Sequence, residues 1–133
     1  MNSILIVDDE EDIRKMMAKL LGSHGYKTRL AADGQIALRE IAQETPDIVL
    51  LDYNLPKMNG FTVLEEIRKI DEGITVIILT GYGSVDKAVQ AMKLGAYDFI
   101  TKPCSMDELL IILKLAEGNC SGRHRLMPPA NGQ

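Results

Sequence analysis

Short apolar runs alternate with amphipathic segments along the whole chain, and this alternation restricts the fold more than any other feature. The runs are continuous and rich in β-branched residues, as expected for strands that are buried on both faces. We predict strands at 3–7, 27–31, 48–51, 74–79 and 97–101. Because apolar residues at helical spacing follow each run, the pattern predicts five β-α units in a parallel sheet with helices on both faces.

Local signals predict where the later helices begin and end. Ser84 is suited to cap the fourth helix. Ser105 and Glu108 form a capping box before the last helix, which is predicted to end near Ala116. Gly, Pro, Asn and Ser are frequent after that point, so we predict one domain over residues 1–117 and a flexible tail or truncated linker over 118–133.

Composition excludes several classes of protein. The chain has 133 residues and a net charge of -4, which argues against a broad surface for nucleic acid or anionic membranes. No apolar stretch is long enough to span a membrane, and the first run is too short for a signal peptide. The two cysteines match no metal-binding spacing, so we expect reduced thiols. These observations predict a soluble, cytoplasmic protein without direct nucleic-acid binding.

Chemically active side chains follow four of the predicted strands. Asp8 and Asp9 follow the first strand, Asp52 the third, Thr80 the fourth and Lys102 the fifth. Ligands of open parallel sheets bind outside the carboxyl ends of the strands, so we expect these groups to lie close together.

Three adjacent carboxylates repel one another unless a cation is present. Mg²⁺ suits such a group, because it binds one or two carboxylates, retains several waters and accepts phosphate oxygens. A carboxylate beside the ion can attack phosphorus, with Lys102 and Thr80 placed to stabilise the phosphoryl oxygens. The acidic residues that follow, Glu10, Glu11 and Asp12, are instead predicted to lie in the first turn of the first helix, where negative charge interacts favourably with the helix dipole.

The chain resembles the receiver domain of a bacterial two-component response regulator in four segments: ILIVDDEED, DIVLLDYNLPKMNG, VIILTGYGS and GAYDFITKP. The resemblance covers residues 2–116. It implies a flavodoxin-like (βα)5 doubly wound fold, with a five-stranded parallel sheet of order 2-1-3-4-5. Residues 81–103 also resemble receivers attached to AAA+ transcription activators of the NtrC type.

The resemblance implies roles at the acidic site. Asp52 corresponds to the phosphoacceptor. Asp8 and Asp9 correspond to the pair that holds Mg²⁺ or Mn²⁺, with Asp9 as the direct ligand and Asp8 acting largely through water. The backbone carbonyl of Asn54 completes the metal site, and Lys102 pairs with the acyl phosphate.

The resemblance also implies a switch, in which Thr80 is the hydroxyl that moves and Phe99 the aromatic that follows it. Such a domain takes a phosphoryl group from a histidine kinase or phosphotransfer protein. It autophosphorylates and autodephosphorylates but is a signalling protein rather than an enzyme. Its output is expected to be transcription regulation, with homodimer or effector contacts through the fourth helix, fifth strand and fifth helix. The last helix is apolar on most sides, which favours such a contact or, equally, deeper burial of this helix under the sheet with the tail folded over it.

Two further expectations concern the loops around the site. The family usually has a cis peptide bond at the position of Lys102–Pro103, and the bulky Tyr82 is expected to slow attack by water.

Two other functions remain open. A phosphatase of the haloacid dehalogenase type also uses an aspartate nucleophile and Mg²⁺, but it has D-x-D-x-T where this chain has Asp8-Asp9-Glu10, and it usually carries a cap insertion. A receiver fold used only for constitutive docking is the second alternative. A dinucleotide binder is disfavoured, because no G-x-G-x-x-G follows the first strand.

Overall fold

The computed structural model describes residues 3–81, 84–102 and 105–122, the last five of them by backbone alone. The chain divides into two units, Met1–Pro103 and Cys104–Gln133. The described residues of the first unit form nine elements in alternating order: β1 Ser3–Val7, α1 Glu11–Ser23, β2 Lys27–Ala31, α2 Gly34–Gln43, β3 Ile48–Asp52, α3 Gly60–Ile70, β4 Thr75–Thr80, α4 Val85–Lys93 and β5 Asp98–Thr101. In the second unit, the helix α5 spans Met106–Gly122.

The five strands form one parallel sheet in the order β2-β1-β3-β4-β5. This confirms the predicted fold, and each strand begins and ends within one residue of its predicted bounds. The strand order came from the family resemblance, because alternation along the chain does not determine which strands are neighbours.

Successive residues of the central strands point to opposite faces of the sheet, and both sets are buried. On one face, strand residues such as Leu5, Leu51 and Ile78 pack in a common core with apolar residues of α2, α3 and α4. On the other face, strand residues are equally buried: Ile4, Ile6, Ile48, Leu50 and Ile77. The helix α1 contacts β1 and β2 and has a separate pair of buried residues, Met17 and Leu21. Burial on both faces is the physical reason for the continuous apolar runs.

Side-chain caps begin three of the helices in the first unit. The Asp33 carboxylate accepts a hydrogen bond from the Ile36 N–H at 2.8 Å before α2. The Asn59 and Ser84 side chains make the same contact at the starts of α3 and α4, at 3.0 and 3.1 Å. Each cap satisfies a backbone donor that the helix cannot pair internally. The predicted role of Ser84 is therefore confirmed.

The helix α5 begins as predicted but ends later. The Glu108 N–H donates to Ser105 Oγ at 3.0 Å and the Ser105 N–H donates to Glu108 Oε1 at 3.3 Å, which is the expected capping box. The backbone then continues as helix to Gly122, so the prediction of an end near Ala116 was wrong. No proline follows until Pro128, and a glycine costs a helix only about 1 kcal/mol.

Residues 118–122 of the predicted tail are thus helical in backbone, whereas a domain boundary at residue 117 stays a prediction. Within α5, the buried residues follow helical spacing at Leu109, Leu113 and Ala116, and the apolar Ile111 and Leu115 are exposed. None of the helices in the described part of the chain has the length and apolar character that a membrane span requires.

The start of α3 passes very close to the strand end that carries Asp52. A Cβ atom on Gly60 would lie 2.8 Å from the Tyr53 Cα and 3.1 Å from the Asp52 carbonyl oxygen. Both neighbours are backbone and cannot move aside cheaply. We therefore expect Gly60→Ala to lower the free energy of unfolding by about 1–3 kcal/mol, the usual cost of overpacking, as measured by urea denaturation.

The matched control for this substitution is Gly22→Ala in α1, where an added Cβ would meet no atom within 4 Å. There the smaller conformational freedom of alanine should leave the protein unchanged or stabilised by about 0.5–1 kcal/mol. Equal effects of the two substitutions would contradict the steric explanation for Gly60.

Candidate functional site

The sheet register brings the predicted site residues to one edge. Val7 pairs with Leu51, which puts Asp8 level with Asp52 at the ends of β1 and β3. Asp52 pairs with Leu79, and Thr80 pairs with Thr101, the residue before Lys102. Because the strands are parallel, all four carboxyl ends lie on the same side of the sheet.

Three carboxylates meet at this edge. Asp8, Asp9 and Asp52 each offer one oxygen, and these oxygens all lie within 4.8 Å of one another. Asp8 and Asp52 are only 3% and 6% exposed, whereas Asp9 is exposed. A group of carboxylate oxygens that is open on one side matches the preference of Mg²⁺ for oxygen ligands together with water. The residues present therefore fit a hard divalent cation.

Asp8 is held by neighbours at both its backbone and its side chain. Its N–H donates to the Ala31 carbonyl at 3.2 Å, and its own carbonyl accepts from Arg14 Nη1 at 2.8 Å. The Oδ1 atom accepts from the Glu10 N–H at 2.9 Å. Asp8 is therefore ordered before any ligand arrives, which lowers the cost of assembling the site.

Sequence reasoning missed the contribution of Arg14. A cation near the start of a helix is disfavoured by the helix dipole, and this was the available signal that Arg14 has a local partner. The hydrogen bond to the Asp8 carbonyl supplies that partner and fixes the turn between β1 and α1.

Lys102 lies between the two buried carboxylates. Its Nζ atom is 3.3 Å from Asp8 Oδ2 and 3.6 Å from Asp52 Oδ2. Its backbone N–H donates to the Thr80 carbonyl at 2.6 Å, which connects the ends of β4 and β5. The other oxygen of Asp52, Oδ1, accepts from the Asn54 N–H at 3.1 Å. Asp52 thus has a backbone donor on one oxygen and an ammonium group near the other.

The pKa values of Asp52 and Lys102 are both raised at this site, but for different reasons. Burial raises the pKa of Asp52 above its ordinary value, and the nearby Lys102 charge and the Asn54 N–H only partly oppose that increase. For Lys102, burial alone would lower the pKa, but the charges of Asp52 and Asp8 outweigh it and the pKa is raised. The lysine therefore stays protonated, and the carboxylate of Asp52 is more basic than usual.

The raised pKa of Asp52 should affect the free energy of unfolding of the protein when no divalent ion is present. The folded protein binds this proton more tightly than the unfolded chain, so this carboxyl favours folding below its ordinary pKa, and that contribution is lost as pH rises through the folded pKa. We expect Asp52→Asn to raise the free energy of unfolding at pH 7 by on the order of 1 kcal/mol.

This difference between wild type and Asp52→Asn should disappear as pH falls below the ordinary carboxyl pKa of about 4. Urea denaturation of both proteins in a chelating buffer across this pH range measures it. A less stable Asp52→Asn variant at pH 7 would contradict the stated effect of burial.

The remaining predicted residues lie at or near the same edge. Thr80 is fully buried at the end of β4, and Phe99 is partly buried in β5 against the core. Asn54, two residues after Asp52, is exposed, and coordination through its carbonyl stays a prediction. The expectations for Tyr82 and for the Lys102–Pro103 peptide bond fall outside the described residues.

Comparison with known proteins identifies the family. Residues 4–114 match the response regulator receiver domain. The chain is 42% identical over 106 residues to sporulation initiation phosphotransferase F of Bacillus subtilis, and this alignment covers 80% of this chain and 86% of the relative. It is 40% identical over 115 residues to the regulatory protein AtoC of Escherichia coli, covering 86% of this chain but 25% of AtoC. The chain thus spans about a quarter of that regulator.

A crystal structure of a response regulator receiver domain protein from Clostridium thermocellum has the same fold. It superposes with a TM-score of 0.86 at 34% identity, over 91% of this chain and 98% of the other. This chain therefore agrees in sequence and in fold with nearly the whole of a separate receiver domain. This protein belongs to the family of response regulator receiver domains, whose role is in signalling rather than in metabolic catalysis.

Proposed function

We propose that this receiver domain accepts a phosphoryl group on Asp52 from the phosphohistidine of a histidine kinase or phosphotransfer protein in the cytoplasm. Mg²⁺ or Mn²⁺ would be held by Asp8, Asp9, Asp52 and the Asn54 carbonyl. One observation carries the proposal: a nearly buried carboxylate at a strand end, with Lys102 Nζ 3.6 Å away and two further carboxylates within 4.8 Å.

The transfer forms a bond between an Asp52 oxygen and phosphorus and breaks the bond between phosphorus and the donor nitrogen. Asp52 is only 6% exposed, so little water competes with phosphorus for its carboxylate, which favours the attack. Lys102 is already within salt-bridge distance of Asp52 and can stabilise negative charge on the phosphoryl oxygens. A divalent ion held by Asp8, Asp9, Asp52 and the Asn54 carbonyl would supply further positive charge to stabilise the phosphoryl group.

The switch that we propose uses Thr80 and Phe99. Thr80 is fully buried beside the site, and its carbonyl already accepts from the Lys102 N–H. A phosphoryl group on Asp52 draws the Thr80 hydroxyl toward it, and Phe99 then fills the vacated space. The phosphoryl group thereby shifts an existing equilibrium between two conformations.

Transcription regulation is the proposed output, supported by the similarity to the regulatory protein AtoC. For a homodimer or effector contact, the fourth helix, fifth strand and fifth helix remain the proposed surfaces. On α4, apolar residues at helical spacing are exposed: Val85, Val89 and Met92. On α5, Ile111 and Leu115 are exposed in the same way. Exposed apolar stripes of this kind are typical of helices that bind a partner.

Incubation with acetyl phosphate and Mg²⁺, followed by intact mass measurement, tests the proposal. We expect wild type to gain the mass of one phosphoryl group and to lose it again with time, because the domain would autophosphorylate and autodephosphorylate. Addition of a chelator should prevent the gain. Asp52→Ala should gain nothing, because it lacks the nucleophile.

The alternatives predict different results in this experiment or in a separate turnover assay. Equal labelling of wild type and Asp52→Ala, or no labelling of wild type, would overturn the proposed mechanism. Absence of labelling would favour constitutive docking. Continuous turnover of a generic phosphomonoester would favour a phosphatase.

A further inference from the structure

Tyr53, the residue directly after Asp52, is held by backbone hydrogen bonds on two sides. Its N–H donates to the Leu79 carbonyl of β4 at 2.8 Å. Its carbonyl accepts from the Gly60 N–H at 2.8 Å and from the Leu55 N–H at 3.1 Å. The backbone at Tyr53 is therefore fixed between β4 and the start of α3, immediately beside the phosphoacceptor.

The ring of Tyr53 is also held by two contacts. The Phe61 ring packs against it edge to face, with centroids 4.8 Å apart and planes at 70°. The Lys87 ammonium lies over the ring, with Nζ 4.6 Å from the centroid. This distance is within the range of cation–π attraction, and both side chains are half-buried, which strengthens the attraction.

Lys87 belongs to the first turn of α4, where its N–H donates to the Ser84 cap at 3.1 Å. The helix dipole disfavours a cation at this end of a helix. The negative face of the Tyr53 ring offsets that penalty, so the first turn of α4 is attracted to the loop that carries Asp52. This connection between α4 and the site does not pass through Thr80.

We infer that Lys87 is a positioning residue for phosphorylation, acting through the Tyr53 ring to hold the first turn of α4 in its unphosphorylated position. The contact is made by the unmodified chain. In this inference the contact is lost when Asp52 is phosphorylated, so it opposes the phosphorylated state, and by linkage its removal favours binding of a phosphoryl group at Asp52. The inference rests on the proposed function of Asp52.

Beryllofluoride, a reversible mimic of a phosphoryl group on a carboxylate, gives an equilibrium measurement of this coupling. In the presence of Mg²⁺, we expect Lys87→Met to bind beryllofluoride about two- to fivefold more tightly than wild type, the factor expected from one cation–π contact. Lys87→Arg and Tyr53→Phe preserve a cation and a ring and should bind as wild type does. In the free protein, the amide hydrogens of the first turn of α4 should exchange faster in Lys87→Met than in Lys87→Arg.

Two controls separate this role from a general effect of charge or packing. Lys93→Met removes the same charge from the exposed last turn of α4 and should leave the affinity unchanged. Tyr53→Leu should match Lys87→Met, and the double variant should bind no more tightly than either single variant. Additive effects, or equal affinity of Lys87→Met and wild type, would overturn the inference and leave the proposed function intact. If wild type binds no beryllofluoride and takes up no phosphoryl group, the proposed function fails and the inference fails with it.

Discussion

Lys102→Met is expected to slow phosphoryl transfer to Asp52 by about 10²–10³-fold, the usual loss when one group that stabilises developing negative charge is removed. The Lys102 ammonium lies 3.3 Å from Asp8 and 3.6 Å from Asp52, and methionine keeps a similar length without the charge. The rate is measured by intact mass over time with saturating Mg²⁺ and acetyl phosphate.

Two further measurements show whether the loss arises from chemistry. Lys69→Met removes an exposed charge that pairs with Glu66 at 3.1 Å on α3, and it should transfer at the wild-type rate. Lys102→Met should still be stabilised by Mg²⁺, at least as strongly as wild type, because a competing cation has been removed from the carboxylates. A folded, Mg²⁺-binding Lys102→Met protein with an unchanged rate would show that Lys102 does not assist the transfer.

Asp9→Asn is expected to remove most of the stabilisation that Mg²⁺ gives to the folded protein. A ligand that binds only the folded state adds about 2.7 kcal/mol to the free energy of unfolding at one hundred times its dissociation constant. Asp9 is the exposed member of the carboxylate group, so its neutralisation should change the stability of the metal-free protein little. Urea denaturation with and without Mg²⁺ measures both quantities.

Glu10→Gln is the matched control, because it removes the same charge from the adjacent position. Glu10 is the N-cap residue of α1, and its side chain makes no capping hydrogen bond. The Glu10→Gln variant should be stabilised by Mg²⁺ as much as wild type is. If Glu10→Gln and Asp9→Asn lost it equally, general acidity of the loop rather than a defined metal site would explain the binding.

The acidic segment after β1 shows how far sequence reasoning reached. Glu11 and Asp12 lie in the first turn of α1, as predicted from their favourable interaction with the helix dipole, whereas Glu10, which was predicted in the same turn, is the N-cap residue directly before it. Asp8 and Asp9 lie within the carboxylate group, also as predicted. The sequence did not show that Asp8 is buried and hydrogen-bonded whereas Asp9 is exposed, because exposure depends on neighbours from other elements.

Contacts between helices and the loop after β3 could not be predicted from the sequence. The closeness of Gly60 to Tyr53 and the position of Lys87 over the Tyr53 ring depend on how α3 and α4 pack beside β3. The end of α5 was predicted too early for another reason. Glycine and polar residues after Ala116 weaken the helical pattern in the sequence but do not prevent the helix from continuing.

The β-α alternation and the caps of α4 and α5 could be predicted from the chain alone, because each depends on residues within a few positions of one another. The functional groups that follow the strands could be predicted in the same way. The approach of these groups was expected, but the position of Lys102 Nζ between Asp8 and Asp52 is known only from the folded protein, and the Lys102–Asp8 contact spans 94 positions in the chain. Parallel strands are joined by long crossovers, so their register and the distances between their ends are set by packing of the whole sheet.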